Sequence, residues 1–242
     1  AAQDGAGALK ALNRAIELEP GNPVFLRARG DVATWTGDHA LAQVSFERVL
    51  TLAPGDADAL LGAARAASRG GQKEAAGSHY RTYLAQRPQD KAVMLEAMEF
   101  EAERGNTQAV QEYDAMYRQR FGESKEYWLR MADIHALGNN AAASSAALKE
   151  ATRLAPQDHA LFKRLAQSYP SEKDAWEAAA AIERAVELDP KNVEYLRTRA
   201  DLASWRGDYA MALDSYQRIL VLAPDDAGAQ LGIARVKYWQ SQ

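Results

Sequence analysis

The chain has 242 residues, of which 29 are Lys or Arg and 33 are Asp or Glu, so its formal net charge is −4. Because basic residues are not in excess, this balance argues against nucleic acid or an anionic membrane as the partner. Cysteine is absent, which excludes disulfides, thiolate metal sites and cysteine nucleophiles. The chain is rich in Ala, Leu, Glu, Arg and Gln and has only eight prolines, a usage typical of a mostly helical protein.

The first residues, AAQDGAGALK, lack the basic and apolar stretches of a signal peptide. No apolar run approaches the length needed to cross a bilayer, so we expect no membrane insertion of this segment. The chain opens in the middle of the repeat pattern described next. We therefore expect it to be a fragment of a longer protein.

Prolines recur with a period of 34 residues along most of the chain. They form two series, Pro20, Pro54, Pro88 and Pro156, Pro190, Pro224. The gap between the two series is twice 34, and Gly122 stands at the missing position. A fixed period of this length indicates a repeat architecture.

With the proline as position 32, the chain divides into units of two helices each. We predict one solenoid over 1–242: a half repeat (1–22, with a helix over about 6–19), six full repeats (23–56, 57–90, 91–124, 125–158, 159–192, 193–226) and a closing helix (227–242). Apolar residues recur at three- and four-residue spacing, which places them on one helical face. Because no pair buries that face alone, neighbouring pairs are expected to stack.

Three positions of the unit predict the packing. Position 8 is mostly small: Gly30, Ala64, Met98, Ala132, Ala166, Ala200. Position 20 is small as well: Ala42, Ala76, Val110, Ser144, Ala178, Ala212. Position 24 is mostly large: Phe46, Tyr80, Asp114, Leu148, Ile182, Tyr216. We expect the small residues to mark close helix contacts that receive the large ones.

Two further positions predict the helix ends. Glycine at position 15 (Gly37, Gly71, Gly105, Gly207) suits the left-handed conformation that ends a helix. Asp or Asn often follows the proline (Asn22, Asp56, Asp90, Asp158, Asn192, Asp226). A side-chain oxygen at that place can cap the next helix.

The period and these positions resemble the tetratricopeptide repeat family over essentially the whole chain. The resemblance implies an all-α fold, a right-handed superhelical solenoid of antiparallel helix pairs with about 13 helices, and a non-enzymatic binding scaffold. The departures are Asp114 in the aromatic column, Gly122 in place of proline, and Pro170 in the first helix of the fifth full repeat. We expect the third and fifth repeats to be irregular.

In such a solenoid, positions 2, 5, 9, 12 and 13 of each first helix line a concave groove. Two alike patches result: one contains Arg27, Asp31, Trp35 and Arg65, and the other contains Arg197, Asp201, Trp205, Arg235 and Trp239. An arginine beside a tryptophan can grip an extended ligand by hydrogen bonds and stacking. The alternative is structural: the tryptophans lie in helix seams, and each arginine and aspartate form a surface pair four residues apart.

The two ends share more than packing requires, with 26 identities in 48 between residues 18–65 and 188–235. Recent duplication and shared surface chemistry explain this equally well. Between the patches, the third and fourth repeats carry Glu99, Glu103, Glu126 and Asp133 on the predicted inner face. These residues form either a solvated surface or a site for a cationic partner.

No pattern predicts a metal, a cofactor or catalysis. The four histidines occupy four different repeat positions, so no pair has the spacing of a helical metal site. The Lys and Asn that clamp a peptide carboxylate in some relatives at positions 5 and 9 are missing, as in Arg27/Asp31 and Lys163/Gln167. A chaperone adaptor of that kind is not expected.

Two functions stay open, and both require a protein partner. The segments ATWTGD, ASWRGD and KYWQSQ resemble repeats in the periplasmic arms of outer-membrane exopolysaccharide export proteins for cellulose, poly-N-acetylglucosamine and Pel. That resemblance implies a periplasmic scaffold in biofilm polysaccharide export, which docks a polymer-modifying enzyme, contacts polymer and leads it to a pore. The alternative is a generic adaptor, cytoplasmic or periplasmic, that binds a helix or extended peptide in the groove. A dimer through the open terminal helix is a further possibility.

Overall fold

The computed structural model describes residues 2–169 and 174–241, and all regular secondary structure in these ranges is helical. The fourteen helices there agree closely with the predicted number of about 13. They are α1 (Ala2–Leu18), α2 (Pro23–Thr36), α3 (His39–Leu52), α4 (Ala57–Arg69), α5 (Lys73–Gln86), α6 (Lys91–Glu103), α7 (Thr107–Phe121), α8 (Lys125–Leu137), α9 (Ala141–Leu154), α10 (His159–Ser168), α11 (Ala175–Leu188), α12 (Val193–Trp205), α13 (Tyr209–Leu222) and α14 (Ala227–Gln240). No helix of the described ranges is both long and apolar enough to span a bilayer.

The chain divides into two compact units, residues 1–122 and residues 123–242. The first unit contains α1 and the pairs α2/α3, α4/α5 and α6/α7. The second contains the pairs α8/α9, α10/α11 and α12/α13, followed by α14. Within each unit consecutive helices pack in sequence order, as stacked helix pairs require. One solenoid over 1–242 stays a prediction.

The predicted caps begin the first helices. The Asp56 carboxylate accepts the backbone N–H of Ala59 at 2.9 Å, which satisfies a donor that the helix itself leaves free. The same cap forms at the other predicted residues, Asn22, Asp90, Asp158, Asn192 and Asp226. In the fourth repeat, Ser124 takes this role.

The predicted turns inside the repeats are also confirmed. Gly37 ends α2 with φ of 82°, and the other position 15 glycines have φ of 77°. In the fourth repeat Asn139 takes the same left-handed conformation with φ of 54°, which asparagine tolerates better than most residues. Gly122 ends α7 with φ of 73°, as its place in the proline column predicts.

The small and large positions pack as predicted. All twelve residues at positions 8 and 20 are buried, and so is position 24 in every repeat except the third. The Phe46 ring lies between two glycines: a Cβ on Gly30 would come within 2.7 Å of it, and one on Gly62 within 2.6 Å. Gly62 was not among the packing positions read from the sequence. It faces the ring from the next repeat.

The third repeat departs from the pattern, as expected from Asp114. This carboxylate is half-buried and pairs with Arg118, one turn further along α7, at 3.0 Å. The buried rings come instead from Tyr113 and Tyr117, on either side of it. In the fifth repeat α10 has only ten residues and ends at Ser168. Pro170, the expected cause, lies outside the described residues.

Candidate functional site

The candidate residues occupy positions 2, 5, 9 and 13 of the first helix of each pair. We call the side chains at these positions the first-helix face. In the first unit, Arg27 does not donate to Asp31. It donates instead to Asp56, the cap of α4, at 2.9 Å and to Asp58 of the next repeat at 3.0 Å. The predicted pair within α2 is therefore replaced by a bridge from α2 to α4.

Asp31 is left as an exposed carboxylate without a hydrogen bond or ion pair in the described ranges. Partial burial raises its pKa above the ordinary value, although the nearby Arg27 charge acts in the opposite direction. The ionised form of Asp31 is thus disfavoured relative to an aspartate in water.

Arg65 also binds the next repeat, although the sequence indicated a ligand contact. Its guanidinium donates twice to the Glu96 carboxylate, from Nε at 2.8 Å and from Nη2 at 2.7 Å. The Tyr80 hydroxyl donates to the same carboxylate at 2.8 Å. Burial raises the pKa of Glu96, but the hydrogen bonds from Arg65 and Tyr80 outweigh it and leave the pKa below its ordinary value.

A regular spacing connects these charged residues. Arg27–Asp58 and Arg65–Glu96 are each 31 residues apart, joining positions 5 and 9 of one repeat to positions 2 and 6 of the next. The second unit has the same two connections in the pairs Lys163–Glu194 and Asp133–Arg164. Much of the first-helix face therefore ties adjacent repeats together.

The predicted acidic residues fall into both units. In the first, Glu99 is half-buried and Glu103 is exposed. In the second, Glu126 is exposed and Asp133 pairs with Arg164. A continuous acidic face across the third and fourth repeats stays a prediction, because these repeats belong to different compact units.

Five candidate residues of the second unit meet in one pocket of about 350 Å³ between α12 and α14. They are Arg197, Asp201, Trp205, Arg235 and Trp239. The second helix of the pair, α13, adds the Tyr216 ring. This volume lies within the range of small-ligand pockets. The grouping agrees with the predicted patch.

Hydrogen bonds hold two side chains of this pocket, Arg197 and Tyr216, in place, whereas the guanidinium of Arg235 is exposed. Arg197 donates to Asp226 at 2.6 Å, and Tyr216 donates its hydroxyl to Asp201 at 2.7 Å. Burial, together with the bond to Asp201, raises the pKa of Tyr216 to about 12, so the hydroxyl stays protonated at neutral pH. Arg235 is exposed and has no hydrogen bond or ion pair within residues 2–169 and 174–241.

The pocket owes its space to two glycines that were not singled out from the sequence. A Cβ on Gly232 would overlap the Tyr216 ring, and one on Gly228 would lie 2.6 Å from Nη1 of Arg197. The sequence does contain a signal for this packing, because glycine stands at position 6 in both LLGAAR and QLGIAR. It pairs with a large ring at position 24 of the preceding repeat.

The tryptophans differ in their surroundings. Trp205 and Trp239 are 53% and 44% exposed within the pocket. Trp35 is 60% exposed, yet part of its ring lies against α1, where a Cβ on Gly5 would be 3.0 Å from Cζ3. The buried part of the Trp35 ring therefore lies in a seam between helices, as the structural alternative expects, and the rest of the ring is exposed.

The first patch matches the second only in part. Phe46 replaces Tyr216, Asp58 replaces Gly228 and Arg69 replaces Trp239. Its position 9 arginine, Arg65, is occupied by Glu96. In the portion of the chain that the structure describes, no three His, Cys, Asp or Glu side chains are grouped to hold a metal.

Comparison with known proteins identifies the repeats. Residues 36–99 and 174–227 match family models described as tetratricopeptide repeat. The C-terminal part of a tetratricopeptide repeat protein from Cytophaga hutchinsonii superposes with a TM-score of 0.66 at 14% identity, covering 95% of each chain. A tetratricopeptide repeat protein from Parabacteroides merdae gives a TM-score of 0.56 at 16% identity, covering 97% of this chain and 93% of that one.

One curated relative is similar over a shorter stretch. General transcription factor 3C polypeptide 3 of Homo sapiens is 35% identical over 86 residues, which are 35% of this chain and 10% of that protein. The chain thus matches about a tenth of the length of this relative. At these identities the solved structures establish the fold alone. The family models confirm the predicted tetratricopeptide repeats over residues 36–99 and 174–227.

Proposed function

We propose that this array of tetratricopeptide repeats is a non-enzymatic scaffold, which holds a protein partner on the first-helix face of residues 123–242. The observation that carries the proposal is the pocket between α12 and α14, in which two exposed indoles and an exposed arginine converge. Aromatic and arginine side chains are the residues that most often anchor protein interfaces. Because these side chains converge in one pocket of residues 123–242, we place the proposed site in that unit.

Site-specific photo-crosslinking tests this proposal. Benzoylphenylalanine at Leu231, a half-exposed wall of the pocket, is expected to trap the partner from an extract of the source cells. The matched control is the same group at Val221 on α13, which is 82% exposed and does not line the pocket. Adducts that are equal at both positions, or absent at Leu231, would contradict a partner seated in the pocket.

A polysaccharide export scaffold is the second candidate. Trp205 and Trp239 present exposed indole faces in one pocket, and flat apolar rings suit the faces of sugars. The WTGD and WRGD segments add the resemblance to the periplasmic arms of export proteins. In this version the chain is periplasmic, docks a polymer-modifying enzyme and leads the polymer toward an outer-membrane pore during biofilm formation.

Titration with acidic and amino-sugar oligosaccharides, followed by tryptophan fluorescence, tests the second candidate. A saturable change is expected in the natural chain and in the Trp35→Phe variant. The change is expected to disappear in a double variant with Trp205→Phe and Trp239→Phe. A response that is the same in all three proteins would rule out sugar contact in the pocket.

The predicted dimer is tested separately. Leu231, Tyr238 and Trp239 on α14 are each more than 40% exposed, which leaves apolar surface for a second copy. Sedimentation velocity over a range of concentrations measures self-association. A monomer at every concentration would contradict the dimer while leaving the scaffold proposal intact.

A further inference from the structure

In the first and sixth repeats, a ring at position 24 fills the space between the first helices of two consecutive repeats. The Phe46 ring of α3 lies between Gly30 of α2 and Gly62 of α4, where added Cβ atoms would come within 2.7 and 2.6 Å of it. The Tyr216 ring of α13 likewise meets α14, because a Cβ on Gly232 would overlap it. In both cases the ring contacts position 6 of the following repeat.

The fourth repeat has Leu148 at position 24, and a pocket of about 440 Å³ lies beside this side chain. The pocket, which we call the α8/α10 pocket, is lined by Leu148 and by Arg164 at position 6 of the following repeat. These are the two positions that meet in the first and sixth repeats. The other lining residues are Ala136, Asn139, Ala141, Ser144, Gln167 and Ser168. Because leucine has no ring, the space that a ring fills elsewhere is open here.

The wall of the α8/α10 pocket has no uncompensated charge among the described residues. Arg164 is the one charged lining residue there, and its guanidinium donates to Asp133. The Ser144 hydroxyl donates to a backbone oxygen of α8 at 2.8 Å, and the Ser168 hydroxyl donates to one of α10 at 2.8 Å. A charged occupant would lose water without gaining an opposite charge. The pocket therefore favours an uncharged occupant.

Two side-chain amides of the wall are available to a ligand. Asn139, in the turn after α8, and Gln167, on α10, are exposed. Neither side chain forms a hydrogen bond within residues 2–169 and 174–241. A carboxamide both donates and accepts hydrogen bonds, as a peptide group does, so it can pair with the backbone of an extended segment. Gln167 stands at position 9 and thus belongs to the first-helix face.

We infer that the α8/α10 pocket receives an uncharged aromatic side chain from an extended segment of a partner protein, and that Asn139 and Gln167 bind the backbone beside it. The ring of the partner takes the place that Phe46 and Tyr216 fill in their own repeats. A volume of about 440 Å³ has room for a ring and part of the backbone. Buried aromatic side chains are frequent anchors of protein interfaces. The inference rests on the proposed scaffold function and adds a second contact on the same unit.

Selection from a displayed library of random peptides tests the inference. The natural chain is the bait, and peptides that bind the Ala136→Phe variant are removed first. Ala136 is an exposed lining residue, so this variant places a ring of its own in the pocket. The surviving peptides are expected to carry Phe, Tyr or Trp between uncharged residues. Their affinity for Ala136→Phe should be at least about tenfold lower, as for the loss of an aromatic anchor.

The matched control is Ala180→Phe, the same substitution at an exposed alanine of α11 that does not line the pocket. It should bind the peptides as the natural chain does. Gln167→Ala should lower the affinity about two- to tenfold, the effect of one hydrogen bond between neutral groups. Salt should change the affinity little, because the pocket wall has no uncompensated charge. Circular dichroism checks that each variant folds, and Gln167→Ala keeps the test valid if Ala136→Phe does not fold.

Four results would overturn the inference. No peptide survives the removal step, the survivors lack an aromatic residue, Gln167→Ala binds them unchanged, or Ala180→Phe weakens them as much as Ala136→Phe does. A steep fall in affinity with salt would do the same, because charges would then carry the contact.

Failure of this inference is distinguishable from failure of the scaffold function. Photo-crosslinking at Leu231 reports a partner in the pocket between α12 and α14 and does not depend on the α8/α10 pocket. A crosslinked partner that binds Ala136→Phe as tightly as the natural chain would leave the scaffold in place and remove the aromatic contact.

Discussion

Arg65 and Glu96 face each other across two consecutive repeats, with the guanidinium fork of one aligned on both carboxylate oxygens of the other. Tyr80 completes the arrangement with its hydroxyl. Side chains of α4 and α5 therefore both donate to one carboxylate on α6. This contact joins helices that belong to different repeats.

Replacing Arg65 by Gln should reduce the free energy of unfolding by about 1 kcal/mol, because a bidentate but half-exposed bridge is lost. Urea denaturation followed by circular dichroism measures the change. Arg235→Gln serves as the control, since that side chain has no such bridge in the described ranges. Equal losses in the two variants would show that the effect comes from the arginine side chain itself.

The stabilisation from Glu96 should depend on pH. Its pKa is lowered in the fold, so the ionised form favours folding. This contribution is complete above its ordinary value of 4.5 and is lost as the pH falls through the lower, folded value. The difference in unfolding free energy between the natural chain and Glu96→Gln should therefore narrow on acidification. A difference that stays constant from neutral to acidic pH would contradict this account.

Asp201 and Asp31 occupy equivalent positions but should respond differently to alanine. Asp201→Ala removes the acceptor of the Tyr216 hydroxyl and should cost about 1 kcal/mol. Asp31→Ala removes a carboxylate whose pKa burial has raised, so stability should stay the same or increase slightly. Thermal unfolding of the two variants measures the contrast. A larger loss for Asp31→Ala would refute it.

The glycines at position 6 should tolerate no side chain. Gly62→Ala would bring a Cβ within 2.6 Å of the Phe46 ring, and Gly232→Ala would overlap Tyr216. Each should cost about 1–3 kcal/mol by overpacking. Gly7→Ala is the control, since its Cβ would meet nothing within 4 Å on α1. That change should stabilise the helix by about 0.5–1 kcal/mol.

Position 20 offers a second packing test. Ala42 and Ala212 are fully buried, so replacement of either by Leu should cost about 1–3 kcal/mol. Glu103→Gln, at an exposed residue, should barely change stability. Thermal unfolding compares the three variants. Equal shifts for the leucine variants and Glu103→Gln would mean that the repeat register is misassigned.

The sequence was sufficient for the features that recur in every repeat. Caps such as Asp56, turns such as Gly37 and buried positions such as Ala42 depend on neighbours within one helix pair. The same local pattern is repeated along the chain, so each copy supports the interpretation of the others. Phe46 and Tyr216 were likewise recognised as core residues from their column alone.

The partners of the charged residues were harder to predict. Arg65 was expected to contact a ligand, but position 6 of the following repeat happens to be Glu96. The partner of Arg27 is Asp58, which lies 31 residues further along the chain. Helical periodicity gives no indication of pairing at that distance. Position 6 varies from glycine to glutamate between repeats. The glutamate at that position explains why Arg65 is bound within the chain.

Asp226 has two roles that should make neighbouring repeats fold together. One oxygen of its carboxylate accepts the Ala229 amide at the start of α14, and the other accepts the Arg197 guanidinium of α12. Opening the cap would release the arginine, and withdrawing the arginine would loosen the cap. Hydrogen exchange at the Ala229 amide should therefore quicken when Arg197 is removed, which would make one backbone proton a reporter of events in the preceding repeat.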